Sequence, residues 1–225
     1  ATQHIADFFA SRGIGVAILL VGLVGIFLTL RQWDVFIATF MGFANWQGVV
    51  WMAITLGLTK VLHEFGHAYS ASRYGCRVPS MGVAFLVMYP VLYTDTSDAW
   101  RLTSKSQRLR IGAAGIRVEL AIALLATFFW HVLPPGPLQS AVFLMASTSW
   151  IATLLINLSP FMRFDGYYLL SDFLGIANLQ SRSFAIAKWT IREQLFAFRY
   201  PPPEPMPAQK RKMLAAFAIA VWIYR

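Results

Sequence analysis

The sequence predicts an α-helical polytopic membrane protein with a core of about four transmembrane helices and a partial fifth. Three observations support this fold class. Of the 225 residues, 57% are hydrophobic and only 13% are charged, and the mean hydropathy is +0.56. In addition, apolar runs long enough to cross a bilayer alternate with short basic segments, which is typical of polytopic membrane proteins.

The chain is strongly basic, with a formal net charge of +9 at pH 7. The basic residues lie in short segments between apolar runs, as they do in the cytoplasmic loops of membrane proteins. We therefore expect the lipid bilayer as a partner and no nucleic acid. Cys76 is the only cysteine, so an internal disulfide is excluded and a small packed residue is expected there.

The apolar pattern places the helices in chain order. Residues 13–30 predict the first helix, because the run is long and no small-residue cleavage pattern follows it, unlike in a signal peptide. Residues 31–45 connect this helix to the second, at 46–74, which Gly75 ends. The sequence predicts two further spans, at residues 111–133 and 138–158. A short helix is predicted at 167–176 and a partial last helix at 213–224.

Residues 78–100 have a different pattern, rich in Val, Leu, Phe and Tyr and interrupted by Pro79, Gly82 and Pro90. Their apolar part, residues 81–93, is too short to span a bilayer as a helix. It predicts a small membrane-associated β-hairpin of two short strands, or a re-entrant segment protected by helices. A hairpin on the protein surface is the alternative.

The second predicted helix carries the sequence His63-Glu64-Phe65-Gly66-His67, of the form H-E-x-x-H. Histidines four residues apart lie on one helix face and can bind a single metal ion. The adjacent Glu64 could accept a proton from water. Polar side chains within an apolar run are costly unless they are paired or bound to metal. The alternative is a polar helix end that happens to contain two histidines.

A catalytic zinc ion usually has three protein ligands, so a third ligand is expected. His4, in the polar start, and His131, at the opposite membrane face, are poor candidates. Asp165 follows a break after the fourth helix, on the same side of the membrane as the motif. It could equally be the N-cap of the next short helix. The other carboxylates considered are Asp95, Asp98, Glu119 and Asp172.

Residues 157–166 read N-L-S-P-F-M-R-F-D-G and fit the pattern N-x-x-P-x-x-x-x-D-G. With the earlier H-E-x-x-H motif, the chain resembles the site-2 protease family of intramembrane zinc metalloproteases, which is peptidase M50-like. The resemblance implies that Glu64 is catalytic and that Asn157 supports the substrate or the transition state. It also implies one zinc ion per chain, with three ligands: His63, His67 and Asp165.

One stretch departs from the family pattern. Members of the family often carry G-P-x-x-N in the helix after the metal motif, whereas this chain has Gly115-Ile116-Arg117-Val118-Glu119. We expect Glu119 to form an ion pair with Arg117 or with Lys60. The segment 81–93 resembles the membrane-embedded strands of the family, where an unpaired edge could hold an extended substrate.

The resemblance implies hydrolysis of peptide bonds in transmembrane or membrane-associated substrates near the cytoplasmic face. Two alternatives are a metal or peptide transporter and a non-catalytic zinc-binding membrane scaffold. A transport path should continue to the far face through further polar residues, and few are present there. A structural zinc site would not need Glu64. Both considerations favour the protease.

The basic segments also predict orientation. They follow the second and fourth helices, so we expect a multi-pass protein of the bacterial inner membrane with a cytoplasmic N-terminus. We expect one transmembrane domain over 1–225, composed of a first helix and connection (1–45), a catalytic core (46–176) and a basic linker with a partial helix (177–225). Because the last run has about twelve apolar residues, fewer than a span needs, we expect a segment of a longer chain.

Overall fold

The computed structural model describes residues 11–86 and 89–225. The predicted polar start up to residue 10, with His4, lies outside the described residues, as do residues 87 and 88 at the centre of the predicted hairpin. The chain divides into two compact units, the first ending at Leu158 and the second covering Ser159–Arg225. Whether the two units act as a single domain, as predicted, stays a prediction.

The first unit consists of helices and one hairpin. Its helices are α1 (Arg12–Arg31), α2 (Trp33–Gly42), α3 (Trp46–Arg73), α4 (Lys105–Gly112), α5 (Ala114–Val132) and α6 (Pro137–Ile151). A π-helical segment, Ala152–Asn157, continues α6. The strands are β1 (Met81–Leu86) and β2 (Tyr89–Thr94), and a 3₁₀ turn, Ser97–Arg101, follows them.

The ends of the motif-bearing helix α3 are determined by local sequence. Asn45 precedes its first turn and accepts a 2.8 Å hydrogen bond from the Gly48 backbone N–H, as an N-cap does. At the other end, Gly75 has a φ of +74°, a left-handed conformation that glycine adopts without strain. The prediction of a helix over residues 46–74 is confirmed to within one residue.

Helix α5 packs against α1, α3 and α6. Glycine allows α1 to approach closely: a Cβ at Gly25 would lie 2.7 Å from the backbone N of Phe128. Near the C-terminus of α5, His131 Nε2 forms a 2.8 Å hydrogen bond with Thr29 Oγ1 of α1. Small residues and hydrogen-bonded polar pairs of this kind are common between membrane helices.

The predicted hairpin is present. Strands β1 and β2 pair antiparallel, with Met81 opposite Thr94 and Gly82 opposite Tyr93. Strand β2 packs against α3, while Val83 and Phe85 of β1 are exposed. The prediction of two short strands in this segment is therefore confirmed.

Among the described residues, three helical segments are long and apolar enough to cross a membrane: Arg12–Arg31, Ala114–Val132 and Pro137–Asn157. Helices α2 and α3 meet at a 105° bend and would together make a fourth. The sequence predicted only a connection over residues 31–45. This connecting segment forms α2 because its residues from Trp33 to Gly42 are mostly apolar and include no helix breaker before Gly42. Asp34 in the first turn also favours the helix start.

The second unit contains α7 (Asp165–Leu174), α8 (Leu179–Phe196) and α9 (Ala208–Tyr224). Helix α7 begins two residues before the predicted start at residue 167. Its N-cap position is occupied by Phe164, so the alternative interpretation of Asp165 as the N-cap is wrong. Asp165 is instead the first helical residue, where a negative charge favours the helix N-terminus.

Helix α8 occupies part of the segment predicted to be a basic linker. Apolar residues lie on its exposed side as well as its buried side, for example Ile191 and Leu195, so the sequence shows no clear helical period. Leu179 and Ile186, seven residues apart, are nevertheless buried in one cluster with Leu214 of α9. An ion pair between Arg182 and Glu204 joins α8 to the proline-rich connection before α9. The segment is therefore structured by one buried stripe and its packing on α9.

Candidate metal centre

The two histidines of the motif face each other on α3. His63 and His67 are 4% and 8% exposed, and their Nε2 atoms lie 3.2 Å apart. Residues four apart lie one above the other on a helix, so the spacing in the sequence produces this pairing directly. The two histidines are thus together, as the sequence predicted.

The orientation of the His67 ring is fixed by the backbone of another helix. His67 Nδ1 lies 2.9 Å from the carbonyl oxygen of Ile111 in α4. A carbonyl oxygen only accepts hydrogen bonds, so Nδ1 carries the proton and Nε2 carries the lone pair. The imidazole therefore presents a metal-binding nitrogen toward His63.

The His63 ring is held next to a carboxylate. Its Nδ1 lies 2.9 Å from Glu119 Oε1, in a direction off the ideal line of a hydrogen bond. An ionised carboxylate only accepts, so this contact favours the tautomer with the proton on Nδ1. In that tautomer the lone pair of His63 is on Nε2, the atom that faces His67.

Glu119 is completely buried and has four neighbouring groups that can donate. Lys60 Nζ lies 2.7 Å from Oε1, and Thr153 Oγ1 donates to Oε2 at 2.8 Å. Asn157 Nδ2 lies 2.7 Å and 2.6 Å from the two oxygens. The predicted ion pair with Lys60 is confirmed. The alternative partner Arg117 instead donates to a backbone carbonyl at 3.1 Å.

This donor set fits a zinc ion. With both Nδ1 atoms protonated, two lone pairs face each other at 3.2 Å, an arrangement that a cation between them stabilises. Two nitrogen ligands at about 2.0–2.1 Å from a tetrahedral zinc ion are themselves roughly 3.3 Å apart. Helix α5 leaves room for the two imidazole rings because residue 115 is glycine. A Cβ at Gly115 would overlap ring atoms of both histidines.

Glu64, the predicted catalytic residue, lies on α3 between the two histidines and is half-buried. Its backbone carbonyl oxygen accepts a 3.1 Å hydrogen bond from Thr94 Oγ1, the last residue of β2. The hairpin is thereby attached to the helix at Glu64. This contact brings a strand end to the residue that would act on a substrate.

The other two predicted site residues have different positions. Asn157 ends the π-helical segment, is 4% exposed and donates to Glu119. Its role toward a substrate stays a prediction. Asp165 is half-buried and belongs to the second unit, as the first residue of α7. Its role as the third ligand likewise stays a prediction.

Two of the other carboxylates considered as ligands stabilise the turn after the hairpin. Asp95 Oδ1 accepts from the Ser97 backbone N–H at 2.9 Å, and hydrogen bonds with Ser97 lower the pKa of Asp95. Asp98 accepts from the Arg77 backbone N–H at 2.9 Å, which together with Arg101 lowers the Asp98 pKa. These contacts give both side chains a local structural role.

Sequence reasoning missed three contributors to this centre: the Ile111 carbonyl, Gly115 and Thr153. One signal was available, because Gly115 and Glu119 both belong to the stretch that departs from the G-P-x-x-N pattern. Thr153 also lies four residues before Asn157, so both could reach one acceptor. A backbone carbonyl has no sequence signature, so the Ile111 contact could not have been predicted.

Comparison with known proteins agrees with the resemblance. The model of peptidase family M50 matches residues 51–149, from the second turn of α3 to near the end of α6. The chain is 26% identical over 135 residues to the "Putative peptide zinc metalloprotease protein YydH" of Bacillus subtilis. That alignment covers 60% of this chain and 52% of the relative, so the chain spans about half the length of this curated protein. No solved structure matches the chain significantly. Over residues 51–149 the chain is thus similar to peptidase family M50, in agreement with the family that its motifs resemble.

Proposed function

We propose that this protein is an intramembrane zinc metalloprotease that hydrolyses peptide bonds of membrane-embedded or membrane-associated substrates near the cytoplasmic face. The observation that carries the proposal is the pair of buried imidazoles whose Nε2 atoms lie 3.2 Å apart. His67 Nδ1 is hydrogen-bonded to a backbone carbonyl and His63 Nδ1 lies 2.9 Å from a carboxylate oxygen, and such acceptors commonly accompany the ligand histidines of metal sites. The name of the Bacillus subtilis relative supports the same activity.

One zinc ion per chain is proposed, with His63 and His67 as two of its ligands. The sequence motif supplies Asp165 as the third ligand. When bound, zinc would supply Lewis acidity toward the peptide carbonyl and toward water. The protein contributes fixed ring orientations, through the Ile111 carbonyl and the Glu119 carboxylate.

Glu64 is proposed as the general base and acid. Its carboxylate takes a proton from the attacking water, and the oxygen of that water forms a bond to the carbonyl carbon. As the C–N bond breaks, the same carboxyl group delivers the proton to the leaving amine. A half-buried carboxylate on the same helix as both histidines suits this role, because it is close to the metal ligands yet accessible.

The hairpin is proposed to bind the substrate as an extended strand. Peptide carbonyls in a transmembrane helix are already hydrogen-bonded, so the scissile segment must unwind before hydrolysis. An exposed strand edge can pair with such an extended segment. The exposed apolar side chains of Val83 and Phe85 suit a hydrophobic substrate in the membrane.

The proposal is tested by reconstituting the full chain in liposomes with a single-span reporter protein. Wild type is compared with Glu64→Gln, which keeps the side-chain shape but removes the base. Glu193→Gln is the matched control, because Glu193 lies in the second unit and accepts from the backbone at Arg199 and Tyr200. Bound zinc is measured in all three preparations.

We expect cleavage by wild type and by Glu193→Gln, and loss of cleavage with retained zinc in Glu64→Gln. Cleavage by the Glu64→Gln protein at the wild-type rate would reject the mechanism. A transporter would instead move zinc or peptide across the liposome membrane without cleaving the reporter. A scaffold with structural zinc would neither cleave nor transport.

A further inference from the structure

We propose that Glu119 is a positioning residue that fixes the His63 ring for zinc binding. The inference rests on the proposed zinc site and extends it to a residue at which the chain departs from the family pattern. There the family often has a neutral asparagine, whereas this chain has a buried carboxylate. The function assigned to Glu119 is to hold and polarise the imidazole.

Glu119 Oε1 lies 2.9 Å from His63 Nδ1, on the side of the ring opposite the Nε2 atom that faces His67. In zinc proteins, a carboxylate commonly lies next to the ring nitrogen of a ligand histidine that does not bind the metal. It sets the tautomer of the ring and raises the basicity of the metal-binding nitrogen. A neutral amide oxygen can accept a hydrogen bond, but it polarises the ring less strongly.

Glu119 is itself held rigidly by its neighbours. Lys60 and Thr153 lie 2.7 Å and 2.8 Å from its two oxygens, and Asn157 Nδ2 lies within 2.7 Å of both. These donors come from α3 and from the π-helical segment. A carboxylate surrounded in this way has one orientation, so it can transmit that orientation to His63.

A fully buried carboxylate in an apolar helix costs several kcal/mol unless it is paired, even after local relaxation. Lys60, which is 25% exposed at its side chain, supplies the compensating charge. An apolar residue or an amide at position 119 would avoid the cost of the pair altogether. A charged pair that contacts a predicted ligand is therefore better explained by the zinc site than by stability alone.

The test measures zinc affinity, not cleavage. The full chain is purified in detergent, stripped with a chelator and titrated with Zn²⁺ against a competing chromophoric chelator. Glu119→Gln keeps the shape of the side chain and removes its charge. Lys60→Met/Glu119→Gln removes both charges, so that no unpaired buried charge disturbs folding. Glu193→Gln is again the matched control.

We expect zinc binding about 10- to 100-fold weaker in both Glu119 variants, and unchanged binding in Glu193→Gln. With Co²⁺ in place of Zn²⁺, the visible absorption bands of the Glu119 variants should shift, because the His63 ring is no longer fixed. A purely structural role would change thermal stability but leave the absorption bands of the folded protein unchanged.

Wild-type affinity and an unshifted cobalt spectrum in the folded double variant would overturn the Glu119 proposal. The zinc site itself is tested separately with His63→Ala. If wild type binds no zinc, or His63→Ala binds it equally well, the proposed function fails. If His63→Ala loses zinc while the Glu119 variants keep it, the inference about Glu119 alone fails.

Discussion

Thr94 Oγ1 donates a 3.1 Å hydrogen bond to the backbone carbonyl oxygen of Glu64. Thr94 is the last residue of β2, and Glu64 is the proposed general base in the H-E-x-x-H motif. The bond joins the end of the hairpin to the helix at the position where a peptide would be cleaved. It therefore relates the proposed substrate-binding strand to the proposed catalytic residue.

Thr94→Val should slow cleavage and leave zinc content unchanged. Valine has nearly the same shape but lacks the hydroxyl, so it loses a contact of about 0.5–1.5 kcal/mol. We expect a decrease in cleavage rate of up to about tenfold, measured on the liposome reporter. Thr39→Val is the control, because Thr39 is half-buried and its hydroxyl donates to the Val35 carbonyl oxygen within its own helix. Equal rates in Thr94→Val and wild type would show that the hairpin attachment does not matter for cleavage.

Gly115→Ala should weaken zinc binding sharply. The added methyl group would overlap the His63 and His67 rings, which must then rotate away from each other. Gly57→Ala is a matched control on α3, since a Cβ there meets nothing within 4 Å, and alanine is the better helix former by up to about 1 kcal/mol. We expect Gly57→Ala to keep full zinc content and equal or higher thermal stability. Full zinc content in Gly115→Ala would contradict the close approach of α5 to the rings.

Asp165→Ala should reduce bound zinc by more than about tenfold, since even changes outside the ligand shell cost that much. Metal analysis of the purified full chain measures this directly. Asp95→Ala and Asp172→Ala serve as controls and should keep about one zinc per chain, the number expected for a single catalytic site. Retained zinc in Asp165→Ala would remove Asp165 from the proposed ligands and leave the third ligand to another residue.

The membrane orientation can be tested with reporter fusions. The basic residues after α3 and after α6 predict that fusions at residues 74 and 180 report a cytoplasmic location. A fusion at residue 135, in the uncharged proline-rich turn between α5 and α6, should report the opposite side. An external signal at residue 74 would invert the proposed orientation and place the metal centre nearer the other face.

Cys76 should react slowly with thiol reagents. It is 7% exposed and packs with Ala71, Ala99 and Ile111. Burial, together with the nearby Asp98 carboxylate, raises the pKa of the Cys76 thiol, so less of the reactive thiolate is present at neutral pH. Labelling by a maleimide should be slow in the native protein, increase with pH beyond the range of an ordinary thiol, and become rapid on denaturation. Rapid labelling of the native protein would contradict this packing.

The sequence by itself determined the features that depend on neighbouring residues along the chain. Long apolar runs located the helices near residues 12–31, 46–73 and 114–132, because hydrophobic length and helix-ending glycines act locally. The four-residue spacing placed His63 and His67 on one face for the same reason. For residues 81–93 the sequence predicted a hairpin or a re-entrant segment, because the apolar run is too short to span a bilayer as a helix.

Tertiary structure decided which groups surround those histidines. The Ile111 carbonyl reaches His67 across 44 residues of chain, and Lys60 reaches Glu119 across 59. Such contacts depend on how far one helix is rotated and shifted against another, which ridge-and-groove packing sets and local patterns do not encode. Helix α8 shows the same limit, because its buried stripe is recognisable only against the helix that covers it. The sequence thus placed the two histidines, whereas the packing of α3, α4 and α5 determined how their rings are held.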